Sequence, residues 1–226
     1  MPTETPSLAR RAASEFIGTA LLLTAVVGSG IMGERLAGGN VAIALLSNAI
    51  ATGAALVALI LTFGPISGAH FNPAVSVVSA NNGDLSGQEL AWYIAAQLLG
   101  AFAGVACANA MFGEPLFTWS QHIRAGLPQA FSEVVATFGL LGVIASCAKH
   151  RAGAVPFAVG AYITGAYWFT ASTSFANPAV TLARMATNTF AGIRPQDAPP
   201  FLIAQVIGAI AAALTFKWLL HTEVRS

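Results

Sequence analysis

The sequence predicts an all-α membrane protein of six transmembrane helices plus two re-entrant half-helices, arranged as an inverted 3+3 repeat. Three observations carry this. Of 226 residues, 56% are hydrophobic and only 8% charged, and the mean hydropathy is +0.70. A soluble chain carries about a quarter charged residues, so lipid must solvate most of this surface. Apolar runs long enough to cross a bilayer, at about 20 residues per crossing, recur along the chain. The triplet Asn-Pro-Ala occurs twice, at Asn72-Pro73-Ala74 and Asn177-Pro178-Ala179, each time between such runs.

Residues 1–12 read as a short polar leader. Arg10-Arg11 before an apolar run imitates a secretory signal, but the run continues to about Met32 with no small-residue cleavage pattern. The first span is therefore Ser14 to Met32. The second runs from about Val41 to Phe63 and holds Asn48 and Thr52 one turn apart. The first triplet stretch ends near Ala80, before the polar turn Asn81-Asn-Gly-Asp84. The third span is Gly87 to Phe112, followed by a loop with Glu114, Trp119, His122 and Arg124. The fourth is Pro128 to Ala148, stopped by Lys149-His-Arg151, and the fifth is Ala154 to Ala171. The second triplet and its half-helix reach about Thr187. A Pro-rich loop leads into the sixth span, Phe201 to Leu220. The chain, 1–226, reads as one domain.

An internal repeat supports the layout. Ser14-Glu-Phe-Ile-Gly-Thr19 corresponds to Ser132-Glu-Val-Val-Ala-Thr137, and Ala96-Gln-Leu-Leu-Gly-Ala101 to Ala204-Gln-Val-Ile-Gly-Ala209, with a triplet between these landmarks in each half. The halves are about 14–112 and 128–220. Each has three spans, an odd number, so the second enters the bilayer inverted, which puts broken helices and their ligand site near the midplane. Basic residues set the orientation. With both termini cytoplasmic, Arg10, Arg11, Lys149, Arg151, Lys217 and Arg225 lie inside and Arg35, Arg124, Arg184 and Arg194 outside. In a bacterial cell this is a multi-pass inner-membrane protein.

Asn is a strong N-cap and Pro suits the first helical turn, so each Asn-Pro starts a helix. Non-helical backbone at bilayer depth survives only if protein-buried or lining a wet cavity. The stretches Gly68-Ala69-His70 and Thr173-Ser174-Phe175-Ala176 are then expected to present carbonyls to a pore. Facing helix N-termini put roughly half a positive charge each at its centre, where the Asn72 and Asn177 amides add donors. Small polar molecules can pass by exchanging hydrogen bonds while cations meet a barrier.

The paired triplets, the Ser67-Gly-Ala-His70 lead-in, the Glu-x-x-x-Thr starts of spans one and four, and the Ala-Gln pairs resemble the aquaporin (major intrinsic protein) family over about residues 14–220. The resemblance implies an aquaporin-like right-handed bundle, a homotetramer with a pore in each subunit, and passive permeation of water or small uncharged solutes. Counted from the triplets, the family's four-residue filter falls on Thr52, Gly165, Ser174 and Val180. The filter aromatics are missing, and Val180 stands where the family carries an arginine. The implied constriction is wider and lacks a fixed charge, leaving cation exclusion to the helix dipoles. Glycerol, urea and trihydroxy metalloids become candidate solutes. A Val here also resembles bacterial channels associated with arsenic resistance, which points to arsenite and methylated arsenicals.

Other residues carry paired readings. Arg184, one turn beyond Val180 on the same helical face, either reaches back to the mouth in place of the missing charge or snorkels at the outer surface. Glu15 and Glu133 are intramembrane carboxylates, either proton relays or, as the resemblance implies, acceptors for the backbone of the two re-entrant loops. Gln97 and Gln205 read as interhelical glue. Ala96, Gly100, Gly104 and Ala204, Gly208, Ala212 form close-packing seams. His70 lines the inner vestibule as spectator or pH gate, and Asn48 lines the outer vestibule. Trp92, Trp119, Trp168 and Trp218 suit interfacial anchoring. Cys107 and Cys147 read as small buried hydrophobes.

The composition excludes nucleic-acid binding, because net charge is +1 and no long basic run exists. No nucleophile, metal-ligand or cofactor constellation appears, so an enzyme is excluded too. The expected partners are the bilayer, water and small neutral solutes. An ordinary water or glycerol channel is one alternative. A coupled secondary transporter is another, although its site would be expected to carry charge where this one has amides.

Overall fold

The structure, a computed structural model, describes residues 6–221; Arg225, expected on the cytoplasmic side, lies outside them. Eight α-helices are present among the described residues: α1 (Leu8–Leu36), α2 (Val41–Ser67), α3 (Pro73–Asn81), α4 (Gly87–Phe112), α5 (Leu127–His150), α6 (Val155–Phe169), α7 (Pro178–Arg184) and α8 (Ala198–Leu219). Helices α3 and α7 are the two half-helices, and the other six form the surrounding bundle. Packing follows the repeat. Helix α1 packs on α2 and α4 as α5 packs on α6 and α8, and α2 meets α6 where the halves join. The half-helices cross over, α3 touching α8 and α7 touching α4, and they meet each other.

Among the described residues five helical segments are long and apolar enough to cross a membrane, including Pro195–Leu219, which adds a 3₁₀ turn to α8. Helix α6 is shorter than expected. Its 15 residues span about 22 Å at 1.5 Å per residue, because the chain turns extended at Thr170 to begin the second re-entrant loop. Helix α1 is longer. Ser7 accepts from Arg10 N to start it before the apolar run, and Arg11 pairs with Glu89 of α4. Its far end includes Arg35, which bonds Glu114 at 2.8 Å and the Phe112 carbonyl at 2.9 Å. Apolar patterning marks the bilayer edge, whereas caps mark the helix edge. Helix α2 likewise runs past Phe63, carries Pro65 in its last turn and closes on Gly68 at φ 87°. Helix α7 stops at Arg184, short of Thr187.

The predicted seams are close contacts. A Cβ at Gly100 would stand 2.4 Å from the Phe16 carbonyl oxygen, one at Gly104 2.2 Å from that of Ala20, and one at Gly208 2.5 Å from that of Val134. Helix backbones touch there, α4 on α1 and α8 on α5. Large apolar residues such as Leu99, Leu127, Phe131 and Leu214 are exposed on the outside, and all four tryptophans share that outer surface. The cysteines correct an expectation: Cys107 is exposed and Cys147 half-buried, because both fall on outward faces of their helices.

Candidate functional site

Asn72 and Asn177 have nearly the same backbone, φ −155°, ψ 118° and φ −157°, ψ 114°, and each caps its own half-helix. Asn72 Oδ1 accepts from Ala74 N at 2.9 Å; Asn177 Oδ1 accepts from Ala179 N at 3.0 Å and Val180 N at 3.3 Å. Pro73 and Pro178 occupy the first turn, where a missing N–H costs nothing. Each Asn then donates across to the other loop. Asn72 Nδ2 bonds the Ala176 carbonyl at 2.8 Å, and Asn177 Nδ2 bonds the Phe71 carbonyl at 2.7 Å. The two loops are thereby locked together, with one amide hydrogen of each Asn left over.

The loops are strained in matching places. Ala69, Phe71, Ser174 and Ala176 lie at φ 50°, 49°, 51° and 48°, and Thr173 at 61° matches Gly68 at 87°. Left-handed backbone disfavours residues with a Cβ, so something must hold it. The buried carboxylates do so. Glu15 accepts from His70 N at 3.0 Å, Phe71 N at 2.7 Å, Ser67 Oγ at 2.6 Å and Gln97 Nε2 at 2.8 Å. Glu133 accepts from Phe175 N and Ala176 N, each at 2.8 Å, and from Gln205 Nε2 at 2.7 Å. The glutamines reach on to the half-helices, Gln97 to Ser76 Oγ and Gln205 to Thr181 Oγ1. Of the two readings for these carboxylates, the geometry is that of loop support.

A cavity of about 930 Å³ runs from a mouth at Asn81, Lys149 and His221, past Asn72 and Asn177, to Thr52, Tyr167 and Arg184. Gly68, Ala69, His70, Ser174, Phe175 and Val180 are also on its wall, and Val75 matches Val180 three residues after each Asn. His70 Nδ1 lies 3.0 Å from Ser76 Oγ. Pro73, Ala74, Pro178 and Ala179 build the helix starts and leave the wall to the asparagines.

Three expectations need correction, and one open pair of readings is decided. Gly165 is exposed on the outer face of α6, and the wall is formed by Ile163 and Tyr167, which share the opposite face. Counting back from the triplet missed this because loop geometry, not spacing alone, fixes the helix rotation. The Tyr167 hydroxyl lies 3.3 Å from Thr52 Oγ1, so this side is aromatic and polar rather than open. Asn48 is buried away from the cavity, donating to the Val26 carbonyl and Ser29 Oγ, each at 2.8 Å. The Ala176 carbonyl is taken by Asn72, and Thr173 Oγ1 accepts from Arg124 Nη1 at 3.2 Å, so neither residue is on the wall. Arg184 does not snorkel: it is 1% exposed and on the cavity wall.

Two residues escaped sequence reasoning. Tyr167 was hidden by the count. Arg124 is buried and clamps two stretches, its Nε on the Gly192 carbonyl at 2.8 Å and Nη2 on Phe190 O at 3.2 Å in one, and its Nη1 on Ser172 O at 3.4 Å in the other. Asp197 in turn accepts from Arg124 N at 2.9 Å. Burial lowers the Arg124 guanidinium to about 10, leaving it charged at neutral pH. A lone arginine in a loop poor in charge was the available signal.

The chain matches the family model "Major intrinsic protein" over residues 3–165 and 149–226. It is 54% identical over 214 residues to aquaglyceroporin AqpS of Rhizobium meliloti (strain 1021), covering 95% of this chain and 91% of the relative. To aquaporin AqpM of Methanothermobacter marburgensis it is 31% identical over 245 residues, covering 94% and 98%. The fold is similar to the X-ray structure of the aquaglyceroporin from Plasmodium falciparum, with TM-score 0.71 at 25% identity and coverage of 94% and 95%. Likeness in sequence and in fold runs nearly end to end, and so this integral multi-pass membrane protein belongs to the major intrinsic protein family, whose members are channels and not enzymes.

Proposed function

We propose that the chain is a passive channel for small uncharged solutes larger than water as well as for water, with glycerol, urea and trihydroxy metalloids, including arsenite and methylated arsenicals, as its solute class. The observation that carries this is Val180, buried on the cavity wall one turn into α7, where the family resemblance calls for arginine. A valine there neither donates hydrogen bonds nor projects a guanidinium into the passage. Thr52, Tyr167 and Ser174 complete the constriction and supply hydroxyls that a polyhydroxy solute can bond. The 54% identity to a protein named an aquaglyceroporin supports the glycerol-type part of that class.

Chain 1–226 acts as one channel domain, built from halves 14–112 and 128–220. It sits in the inner membrane with both termini cytoplasmic and the Thr52–Arg184 mouth outside. It assembles as a homotetramer, which the exposed apolar outer faces of the helices are suited to support.

The test is stopped-flow permeability of proteoliposomes to water, glycerol, urea and arsenite, for wild type and Val180→Arg. The arginine should cut glycerol and arsenite flux several-fold while water flux persists. Unchanged glycerol and arsenite flux in a folded Val180→Arg protein would mean the constriction lies elsewhere.

A further inference from the structure

The cavity wall contains a fixed charge that Val180 does not supply. Arg184 is the largest fully buried side chain among the described residues. Its Nε donates to the Ala191 carbonyl, and its Cζ stands 3.4 Å from the ring centroid of Phe175. Among the described residues no carboxylate pairs with it and neither Nη has a protein acceptor; the ion pairs are Arg11–Glu89, Arg35–Glu114 and Arg194–Asp197. Arg124 is the contrast. It stacks on the same Phe175 ring at 5.2 Å, but its donors are consumed by backbone carbonyls and Thr173. One arginine is a structural clamp, and the other keeps its donors unspent.

A second orphan faces the same place. Ser174 is 3% exposed and on the cavity wall, and its Oγ has no hydrogen-bond partner. Buried polar groups without partners cost free energy and call for an explanation. Here a guanidinium with free donors and a free hydroxyl line one stretch of passage, beside the Thr52–Tyr167 hydroxyl pair. A neutral polyhydroxy solute fits such a wall, because its oxygens accept from the guanidinium while its O–H groups donate to hydroxyl oxygens. A cation meets an uncompensated like charge in a site of low dielectric, where charge interactions are far stronger than in water.

We infer that Arg184 is the specificity-determining cation of this channel, acting from one turn further along α7 to bar cations and protons and to donate hydrogen bonds to passing solute. Phe175 positions it by stacking, and the Ala191 carbonyl fixes its rotation. The helix dipoles therefore do not carry exclusion alone, and loss of the arginine at position 180 opens the passage without uncharging it. The inference rests on the proposed passive channel and adds its charge barrier.

The experiment reconstitutes wild type, Arg184→Gln and Arg184→Lys into proteoliposomes. It reads water and glycerol permeability by stopped flow, and proton influx with an entrapped pH dye under a potassium diffusion potential. Wild type should pass glycerol with proton influx at the level of empty vesicles. Arg184→Gln should leak protons at least tenfold faster and lose glycerol relative to water. Arg184→Lys should restore proton exclusion but not the glycerol-to-water ratio, since a point charge lacks the planar fork of donors. Wild-type exclusion and glycerol preference in Arg184→Gln would overturn the assignment. So would proton leak through the wild type itself, a result that needs no variant to fold. Wild-type vesicles that swell no faster than empty ones would refute the channel instead.

Discussion

Replacing Glu133 by Gln should loosen the second re-entrant loop while leaving the bundle assembled. The carboxylate is fully buried and accepts from two backbone N–H groups and one amide. A glutamine keeps one acceptor oxygen and turns a donor toward what was an acceptor site. At least one of the Phe175 and Ala176 N–H groups is then buried without a partner, at about 1–3 kcal/mol. The surviving bonds lose their ionic component, roughly half their strength. The loop they restrain holds Thr173, Ser174 and Ala176 at φ 61°, 51° and 48°, each about 1–2 kcal/mol above right-handed backbone, so relaxation follows once the bonds weaken. Loss of a buried charge's desolvation cost offsets part of this. The net destabilisation should be about 3 kcal/mol, within the range for breaking a buried charged network. At roughly 2–4 °C per kcal/mol for a chain of this size, the melting temperature in detergent should fall by about 6–12 °C. Hydrogen exchange should quicken at Phe175 and Ala176, and solute permeability should drop because Asn177 shares the loop. An unchanged melting temperature with unchanged exchange at those amides would refute loop support as the role of Glu133.

Three further outcomes follow from the packing and the outer loop. Gly100→Ala and Gly208→Ala each drive a Cβ to 2.4–2.5 Å from a carbonyl oxygen of the facing helix and should destabilise by about 1–3 kcal/mol. Gly64→Ala, which meets nothing within 4 Å, should be neutral or stabilising by up to about 1 kcal/mol; thermal melts compare them. Asn48→Ala removes the bonds to Val26 O and Ser29 Oγ and should lower stability by about 1–2 kcal/mol with no change in the glycerol-to-water ratio, measured by stopped flow. In the loop after α4, partial burial of the His122 imidazole, then the Arg124 and Arg184 cations, push it down from 6.5 to about 4. The folded chain then refuses a proton that the unfolded chain takes, so its stabilising effect is full above 6.5 and is lost as pH falls toward 4. Melting temperatures at pH 7 and pH 5 should therefore differ less for His122→Gln than for wild type.

The span count, the half-helices and the paired placement of Glu15, Glu133, Gln97 and Gln205 were legible because each is a local or repeat-encoded property, while loop support by the carboxylates was what the family resemblance implied. Hydropathy is set residue by residue, Asn-Pro is a helix start wherever it occurs, and a repeated carboxylate beside a repeated loop has few ways to be satisfied. Helix ends were less legible, since caps such as Ser7 and Gly68 lie beyond the apolar runs that mark the spans.

What the sequence determined by itself was therefore the family, the inverted frame and the place of the paired motifs. Only the tertiary structure decided which side chains face the passage, because that depends on helix rotation, which a residue count does not carry. Gly165 and Tyr167 are two residues apart, yet they lie on opposite faces of α6, one outside and one on the wall. Arg184 had two futures in the sequence, at the outer surface or at the mouth. The short α7 and the Phe175 ring turned it inward, a contact made only once the second re-entrant loop is folded.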